Sequence, residues 1–284
     1  MADYIEQGRP ELKSRKFAVK ERNVKKSDLY PKGTPIIDFV RIEPGTFRMG
    51  YKEKVTVTLT KPFEIMSIET TQKMWKDIVS LANMYLKGKY SLDADPSNFK
   101  GDMNPVEQVS HTDIDNWNMA ANELSKLDNP QVQKAMAEIF PGYKKGDQYR
   151  MPTEAEWEYV ARMRGLSTGD YAHGNTDKNL KDYAWYGDNN VSKSHPVGLK
   201  KPIMINGKPI YDIHGNVWEW IADWYGDNLP GDVDPQGPAN TYVRVMRGGG
   251  WNGYAQNLRS DYRSYFVPGL RLDNIGFRLV RTSP

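Results

Sequence analysis

The chain has 284 residues, of which 38% are hydrophobic and 26% are charged, so it can bury a sizeable core and is neither disordered nor fibrous. Lys and Arg number 39 against 36 Asp and Glu, and because the basic residues are dispersed, we expect no nucleic acid as a partner. No apolar run approaches the roughly 20 residues that cross a bilayer, and the absence of cysteine excludes disulfides, thiolate metal sites and cysteine nucleophiles.

The start of the chain differs in composition from the rest. Residues 1–35 are polar and rich in lysine, which predicts an N-terminal extension. Residues 36–284 are predicted to form one domain, because neither a linker nor a repeat divides them. A Pro44-Gly45 turn then separates two apolar runs, and the sequence KVTVTLT (residues 54–60) alternates apolar and polar residues. This region therefore predicts two or three antiparallel strands.

Three helices are predicted from apolar residues at helical spacing. The first has such residues from Met74 onward after a threonine cap, and the second begins at Thr112 with carboxylates in its first turn. The third begins at Thr153, with Glu156 in capping-box spacing, and ends at Gly165. Beyond it the helical periodicity disappears, and Gly, Asn, Asp, Pro and aromatic residues predict short strands, turns and loops.

Several motifs that suggest chemistry have an ordinary structural explanation. Glu154, Glu156 and Glu158 lie at spacings that scatter them around a helix, so capping and solvation explain them better than acid/base catalysis. The glycine-rich run 247–251 lacks the Gly-Lys-Ser/Thr ending of a phosphate loop and opens no helix, which predicts a close backbone approach instead. The four histidines show no metal-binding spacing, so a dedicated zinc or iron site is not expected.

Asp212 and Glu219 lie in a segment rich in tryptophan, YDIHGNVWEWIADWY (residues 211–225). One interpretation is that this segment is a buried strand whose aromatic residues belong to the core. The other is an oxygen cage for a hard cation, to which the two carboxylates and the carbonyls between them contribute. The residues alone leave both interpretations open.

The C-terminal segment, about residues 244–280, has core-type apolar residues at both ends and a different centre. The ends predict buried strands, and the arginines of the segment are suited to tie loops down. The centre mixes Tyr, Phe, Val and Leu with Gly, Ser and Asp. Such a mixture is typical of an adaptable recognition surface. The alternative is that these aromatic residues are buried, and composition alone favours neither.

Six motifs occur in a fixed order along the chain: GTFRMG (45–50), NPVEQVSHTDIDNW (104–117), YRMPTEAEWEYVAR (149–162), YDIHGNVWEW (211–220), RVMRGGGW (244–251) and NIGFRLV (274–280). In this order they resemble the formylglycine-generating enzyme family of C-type-lectin-like domains, and the likeness spans residue 36 to the C-terminus. The resemblance implies an α+β domain with the C-type lectin-like fold of this family, irregular and loop-rich, in which two helices flank short, twisted sheets.

The resemblance does not by itself imply an enzyme. The members that oxidise a sulfatase cysteine bind copper through two late cysteines, and this chain has none. The sulfoxide synthases of the wider family carry an upstream iron-binding bundle with a histidine-rich motif, whereas residues 1–35 contain no histidine. We therefore expect no enzyme and no required cofactor.

A structural calcium ion is a further implication of the resemblance. The family's second calcium site would fall on the side chains of Asp212 and Glu219 and on the carbonyls of Gly215 and Val217. The family's first site expects an asparagine where this chain has Trp185, so we expect that site to be lost. The surviving ion would order loops and take no part in catalysis.

The C-terminal segment also resembles the variable region of proteins that diversity-generating retroelements diversify, in which a reverse transcriptase randomises template adenines. The chain keeps the fixed residues of that pattern, called the frame residues below: Arg247, Gly248, Gly249, Trp251, Arg259, Ser260, Arg263, Pro268, Arg271, Ile275, Gly276, Phe277 and Arg278. The resemblance assigns ligand binding to the residues between them, called the variable residues below: Gly253, Tyr254, Asp261, Tyr262, Ser264, Tyr265, Phe266, Val267, Gly269, Leu270, Leu272 and Asp273. All twelve are residue types that codons ending in C can encode, as randomised AAC codons require.

This second likeness implies a non-catalytic receptor that displays a diversified surface over residues 253–273. Its ligand is expected to be a protein, and the chain is expected to be a monomer, because nothing indicates an extended self-complementary apolar face. The likeness further implies a cell-surface protein whose lipid anchor lies before residue 1. The alternative function is an oxidoreductase of the formylglycine-generating type, or a small-molecule binder, with altered chemistry.

Overall fold

A computed structural model of the chain describes residues 35–52, 54–229 and 231–284. The predicted N-terminal extension over residues 1–35 thus lies, except for its last residue, outside the described residues. Residues 34–284 form one unit by their contacts. Within the described ranges, no helix is both long enough and apolar enough to span a membrane.

Five α-helices lie in the described part of the chain, and most begin at a side-chain cap. They are α1 (Gln72–Tyr85), α2 (His111–Lys126), α3 (Pro130–Ile139), α4 (Glu154–Ala161) and α5 (Leu180–Tyr183). Ser110 and Thr153 form capping boxes at α2 and α4, in which the cap hydroxyl accepts a backbone N–H and the acidic residue three positions later accepts the backbone N–H of the cap. Two 3₁₀ turns, Asp177–Asn179 and Ala255–Leu258, complete the helical elements.

The strands are short, as the turn-rich sequence predicts. They are β1 (Phe39–Ile42), β2 (Gly45–Met49), β3 (Val55–Leu59), β4 (Phe63–Met66), β5 (Gln148–Arg150), β6 (Ile203–Ile205), β7 (Lys208–Ile210), β8 (Trp218–Trp224), β9 (Asp232–Val233), β10 (Arg244–Arg247), β11 (Ser264–Phe266), β12 (Ile275–Gly276) and β13 (Val280–Thr282). They form one sheet in the order β1-β4-β13-β5 and a second in the order β11-β10-β8-β12. Two smaller sheets have the orders β2-β3-β9 and β6-β7.

Aromatic residues join the helices to the end of the chain. Trp75 of α1 and Trp117 of α2 stack with their ring centroids 5.7 Å apart. Phe277, a frame residue, lies edge-on to both rings at 6.2 and 5.6 Å. All three side chains are buried. Because aromatic side chains of this size contribute much of the apolar area of a core, the C-terminal frame is part of the main core.

The predicted elements are largely confirmed, and two helix boundaries differ. Helix α2 begins at His111, one residue before the predicted Thr112. Helix α4 ends at Ala161, four residues before the predicted end at Gly165, because Met163 and Arg164 adopt left-handed backbone with φ of 51° and 62°. The chain thus leaves the helix before the glycine that marks its end in the sequence.

Candidate functional site

The C-terminal segment is built onto the sheet β11-β10-β8-β12. Strand β10 pairs antiparallel with both β8 and β11, and β12 joins the other side of β8 in parallel register. Strand β11, which carries three variable residues, is therefore an edge strand. The sheet fixes the two ends of the segment, while residues 248–263 and 267–274 form loops between these strands.

Arg247 is the main buried support of these loops. Its side chain is fully buried, and its guanidinium donates to the carbonyls of Tyr262 at 2.7 Å and Ser260 at 2.9 Å and forms an ion pair with Glu158. Arg162 pairs with the same Glu158 carboxylate at 2.7 Å. A planar guanidinium suits this task because its donors hold several acceptors in fixed directions. The backbone at two loop positions is thereby tied to α4.

Two further frame arginines hold the loops through carboxylates. Arg263 forms a two-pronged pair with Glu154, at 2.6 and 2.8 Å, and donates to the carbonyl of Gly226 at 2.8 Å. Arg259 pairs with Asp170 at 3.0 Å and with Asp261. The sequence-based expectation that arginines tie the loops down is therefore seen in the geometry.

One expectation about the third predicted helix, which is α4 in the structure, is wrong. Solvation does not explain its glutamates, because Glu154, Glu156 and Glu158 are all buried. Glu154 and Glu158 accept the guanidiniums described above, and only Glu156 has the predicted capping role. Such charges are tolerated inside a protein when partners compensate them. Arg162 lies at i,i+4 spacing from Glu158, but Arg247 and Arg263 lie about 90 to 110 residues away in sequence, so helical spacing gave no signal of these two partners.

The glycines of the frame allow close backbone contact, as the run 247–251 predicts. Gly248 and Gly249 have φ of +91° and +79°, which other residues rarely adopt. A Cβ on Gly276 would lie 2.4 Å from the carbonyl oxygen of Val106, so only glycine fits there without a shift of the backbone. The frame therefore depends on its glycines as well as on its arginines.

None of the twelve variable residues is buried. Six are exposed: Tyr254, Tyr265, Phe266, Val267, Gly269 and Leu272. The other six are half-buried: Gly253, Asp261, Tyr262, Ser264, Leu270 and Asp273. The frame residues differ, since eight are buried: Arg247, Gly248, Gly249, Ser260, Ile275, Gly276, Phe277 and Arg278. The aromatic residues in the centre of the segment are therefore at the surface.

Residues outside the segment also contribute to this surface, and sequence reasoning did not find them. Tyr225, just after β8, packs on Tyr265 with ring centroids 4.2 Å apart. The ring centroids of Trp218, in β8, and Tyr262 are 6.1 Å apart. Both are about 40 residues earlier in the chain, and only the pairing of β8 with β10 brings them here. Among the variable residues, Asp261 is the most constrained, because its carboxylate is held by Arg259.

The segment around Asp212 contains several buried acids. Glu219 Oε1 accepts from the Nε and Nη2 of Arg278 at 3.0 and 2.9 Å, and its Oε2 accepts from the indole N–H of Trp157 at 2.8 Å. Asp212 Oδ2 accepts from the N–H of Gly198 at 2.6 Å, and its buried Oδ1 has no hydrogen-bond partner in the described residues.

A third acid, Glu69, accepts from the side chain of Asn216 at 2.6 Å and from the N–H of Val217 at 3.1 Å. Burial, together with the charges of Asp212 and Glu219, raises the pKa of Glu69 well above its usual value. Burial likewise raises the pKa of Asp212 to about 6. Three buried acids, Glu69, Asp212 and Glu219, thus lie near one buried arginine, Arg278.

The cluster of buried acids and the unpaired Asp212 Oδ1 fit a cation beside Asp212 and Glu219. The described residues hold no group of three or more His, Cys, Asp or Glu side chains arranged for a metal. An ion would therefore need backbone carbonyls, as the predicted set with Gly215 and Val217 includes, and calcium accepts such oxygen ligands. The calcium site stays a prediction.

His214 has a structural role. His214 is buried, accepts the N–H of Ala172 at its Nε2 at 3.0 Å and contacts the carbonyl of Leu258 through Nδ1 at 2.7 Å. Burial lowers its pKa to about 3. His214 therefore supports the loop at Leu258, between the variable residues Tyr254 and Asp261, as a neutral side chain.

The fold, the frame and the order of the motifs define a C-type-lectin-like domain of the formylglycine-generating type. The chain matches the sulfatase-modifying factor enzyme 1-like domain over residues 25–283 and belongs to that family. It is similar to the chaperone protein LppX of Paenibacillus barcinonensis, with 30% identity over 279 residues that cover 86% of this chain and 89% of LppX. It is 36% identical over 146 residues to the formylglycine-generating enzyme of Streptomyces coelicolor, which covers 45% of each protein.

Solved structures share this fold. Treponema denticola variable protein 1 superimposes with a TM-score of 0.63 at 26% identity, covering 86% of this chain and 94% of that one. PvdO from Pseudomonas aeruginosa has a TM-score of 0.61 at 24% identity, which shows the shared fold alone. The predicted fold and the predicted likeness to a variable protein, that of Treponema, are confirmed.

Proposed function

We propose that the chain is a non-catalytic receptor that displays a diversified binding surface, the twelve variable residues, on a C-type-lectin-like scaffold. The observation that carries the proposal is the division of one stretch of chain into two kinds of residue. Eight of the thirteen frame residues are buried and Arg263 binds the buried carboxylate of Glu154, whereas none of the twelve variable residues is buried. A receptor that tolerates many sequences needs this separation, since a change at a variable residue must leave the backbone in place.

The composition of the surface favours a protein ligand. Tyr254, Tyr265, Phe266 and Val267 have 74%, 49%, 44% and 51% of their surfaces exposed. Exposed aromatic and aliphatic side chains in one patch are typical of protein-binding sites, where aromatic residues dominate the affinity. Gly, Ser and Asp between them add hydrogen-bonding groups at little steric cost.

Two alternatives follow from the family. An oxidoreductase of the formylglycine-generating type needs cysteine chemistry that this chain lacks. A small-molecule binder would place a deep cleft at the variable residues. A polar cavity of about 300 Å³ lies between Arg162, Asp170 and Arg259, and the variable residue in its lining is Asp261.

The remaining parts of the proposal concern the cellular setting. The receptor would act at the cell surface, held by a lipid anchor, as the likeness to variable proteins implies, and as a monomer, since the sequence indicates no extended self-complementary apolar face. A calcium ion at Asp212 and Glu219 would serve only to order the neighbouring loops. These points rest on the resemblance together with the acids described above.

Two libraries displayed on yeast would test the proposal. In one, the twelve variable residues are randomised with AAC-derived codons; in the matched control, twelve frame residues are randomised in the same way. Each library is sorted first for display of folded protein and then for binding to lysozyme as a defined protein probe. We expect most members of the first library to fold and some to bind lysozyme, whereas the control library loses display.

A variable library that loses display as completely as the control would contradict the proposal. A variable library that folds but yields no binder to lysozyme or to a second protein such as albumin would favour the alternatives. Sequencing of sister genes gives an independent test, because variation confined to residues 253–273 is expected of a receptor. Variation spread evenly over the domain would overturn it.

A further inference from the structure

A second cavity, of about 440 Å³, lies apart from the variable residues, none of which lines it. Its size is in the range of small-ligand pockets. Leu59, Phe63 and Pro235 give it an apolar wall, and Asp223 of β8 lines it as well. Neither the receptor proposal nor the family comparison assigns it a role.

Asp223 is the distinctive group of this cavity. Only 3% of its surface is exposed, although it carries a carboxyl group. Its Oδ2 accepts the N–H of Glu154 at 2.9 Å, and its Oδ1 has no hydrogen-bond partner in the described residues. A buried carboxylate oxygen without a donor is unfavourable, so a donor arriving in the cavity would stabilise it.

The charged neighbours of Asp223 are occupied with one another. Arg150 of β5 and Glu156 of α4 form a two-pronged pair with both distances at 2.7 Å. Glu154, also of α4, is paired with Arg263. Arg244 of β10 stacks on the ring of Trp224 at 3.6 Å and donates to the carbonyl of Ala222 at 2.5 Å. Arg150 and Arg244 thus have acceptors of their own, and Lys61 and Asp234 are the other charged residues that line the cavity. Among the described residues, no ion pair to Asp223 is seen.

We propose that this cavity binds a primary ammonium group carried on a short apolar chain. The ammonium would donate to Asp223, and the chain would lie against Leu59, Phe63 and Pro235. A free alkylamine and a lysine side chain of another protein share this chemistry. The assignment does not depend on the receptor function, since the cavity contains no variable residue.

The charge of Asp223 gives the interaction a predictable dependence on pH. Burial, supported by the charges of Glu154 and Glu156, raises the pKa of Asp223 to about 7, although the hydrogen bond from the N–H of Glu154 and the charge of Arg263 oppose the rise. The carboxylate form therefore predominates at pH 8 and is a minor form at pH 6, while an alkylammonium stays charged throughout. Binding that needs the carboxylate should be about tenfold tighter at pH 8 than at pH 6.

Carbon-detected NMR of the Asp223 carboxyl group tests the proposal in the unmodified protein. The probe is n-butylammonium chloride, with 1-butanol as the neutral control and sodium butyrate as the anionic one. We expect butylammonium to lower the pKa of Asp223 and to bind about tenfold more tightly at pH 8 than at pH 6, and the two controls to do neither. An Nα-acetyl-lysine methylamide arm shows whether a lysine side chain can replace the free amine.

Two variants separate this site from the receptor surface. D223N should lose the response to butylammonium, and the Y262A/Y265A/F266A triple variant should keep it. The proposal is overturned if the Asp223 signal is unmoved by butylammonium at 100 mM, if 1-butanol has the same effect, or if folded D223N still responds. Should D223N fail to fold, the NMR titration of the unmodified chain decides alone.

Discussion

The frame residues and the variable residues occupy the same stretch of chain and have opposite surroundings. Ser260 is buried while Phe266 is exposed, and Arg263 is fixed by Glu154 while Tyr265, two positions later, is exposed. The difference shows where the loop takes its shape: from contacts with α4 and the main core. The proposed function requires that the loop keep its backbone path whatever side chains lie between the frame residues.

The largest effect on stability is expected from the removal of Arg247, the most buried of the frame arginines that hold the loops. R247A should lower the free energy of unfolding by about 3 kcal/mol or more, because Glu158 loses one of its two buried cations and two loop carbonyls lose their donor. The matched control is R271A, a frame arginine that is exposed and pairs with Asp113. That change should cost less than about 1 kcal/mol. Urea denaturation measures both, and equal costs would show that burial does not distinguish the frame.

A calcium ion would stabilise the loops in addition to the frame residues. If calcium binds at Asp212 and Glu219, saturating it at 100 times its Kd should stabilise the fold by about 2.7 kcal/mol. The effect should be larger at pH 7.5 than at pH 5, because the pKa of Asp212 is raised to about 6 and calcium needs the carboxylate. Calorimetry with calcium or with EDTA measures it, and D212N is the control that should abolish the response. Identical melting curves in calcium and EDTA would contradict the predicted calcium site.

Two glycines offer a smaller and sterically defined comparison. G276A places a Cβ 2.4 Å from the carbonyl oxygen of Val106 and should cost about 1–3 kcal/mol. Gly269, a variable residue, has no heavy atom within 4 Å of a built Cβ, so G269A should leave stability within about 0.5 kcal/mol. Urea midpoints of the two variants compare them directly. A larger loss in G269A would mean that the variable positions are packed.

How far the sequence predicts this structure depends on the distance over which each interaction acts. The capping box of Thr153 with Glu156 and the alternation from Val55 to Leu59 are local, and both patterns are found as predicted. Helix α3 was not predicted, although Asn129 before Pro130 is a local start signal that could have indicated it. The burial of Glu158 depends on Arg247 and could not be predicted, because no local pattern reports an ion pair across 89 residues.

The same reasoning applies to the candidate site. The frame motif located the variable residues, and the resemblance to known proteins supplied their role. Trp218 and Tyr225 were missed as neighbours of this surface because they reach it only through the pairing of β8 with β10. Exposure itself was undecided from composition, since Tyr, Phe, Val and Leu are also core residues. Only the three-dimensional packing separates the two interpretations.

A small effect is expected even where the side chains are large. Y262A/Y265A/F266A removes three aromatic rings, a change that in a core costs about 3–5 kcal/mol per ring. Here Tyr265 and Phe266 are exposed and Tyr262 is half-buried, so we expect a total loss of about 1 kcal/mol, mainly from the contact of Tyr265 with Tyr225.

For a chain of this size such a loss lowers the melting temperature by about 2–4 °C. The core control is F277A, which removes one ring that packs against Trp75 and Trp117. If three rings at the surface cost less than this single ring, the loop keeps its shape without them, as a diversified surface requires. If the triple variant unfolds before F277A does, these aromatic residues belong to the core, and the receptor proposal fails with them.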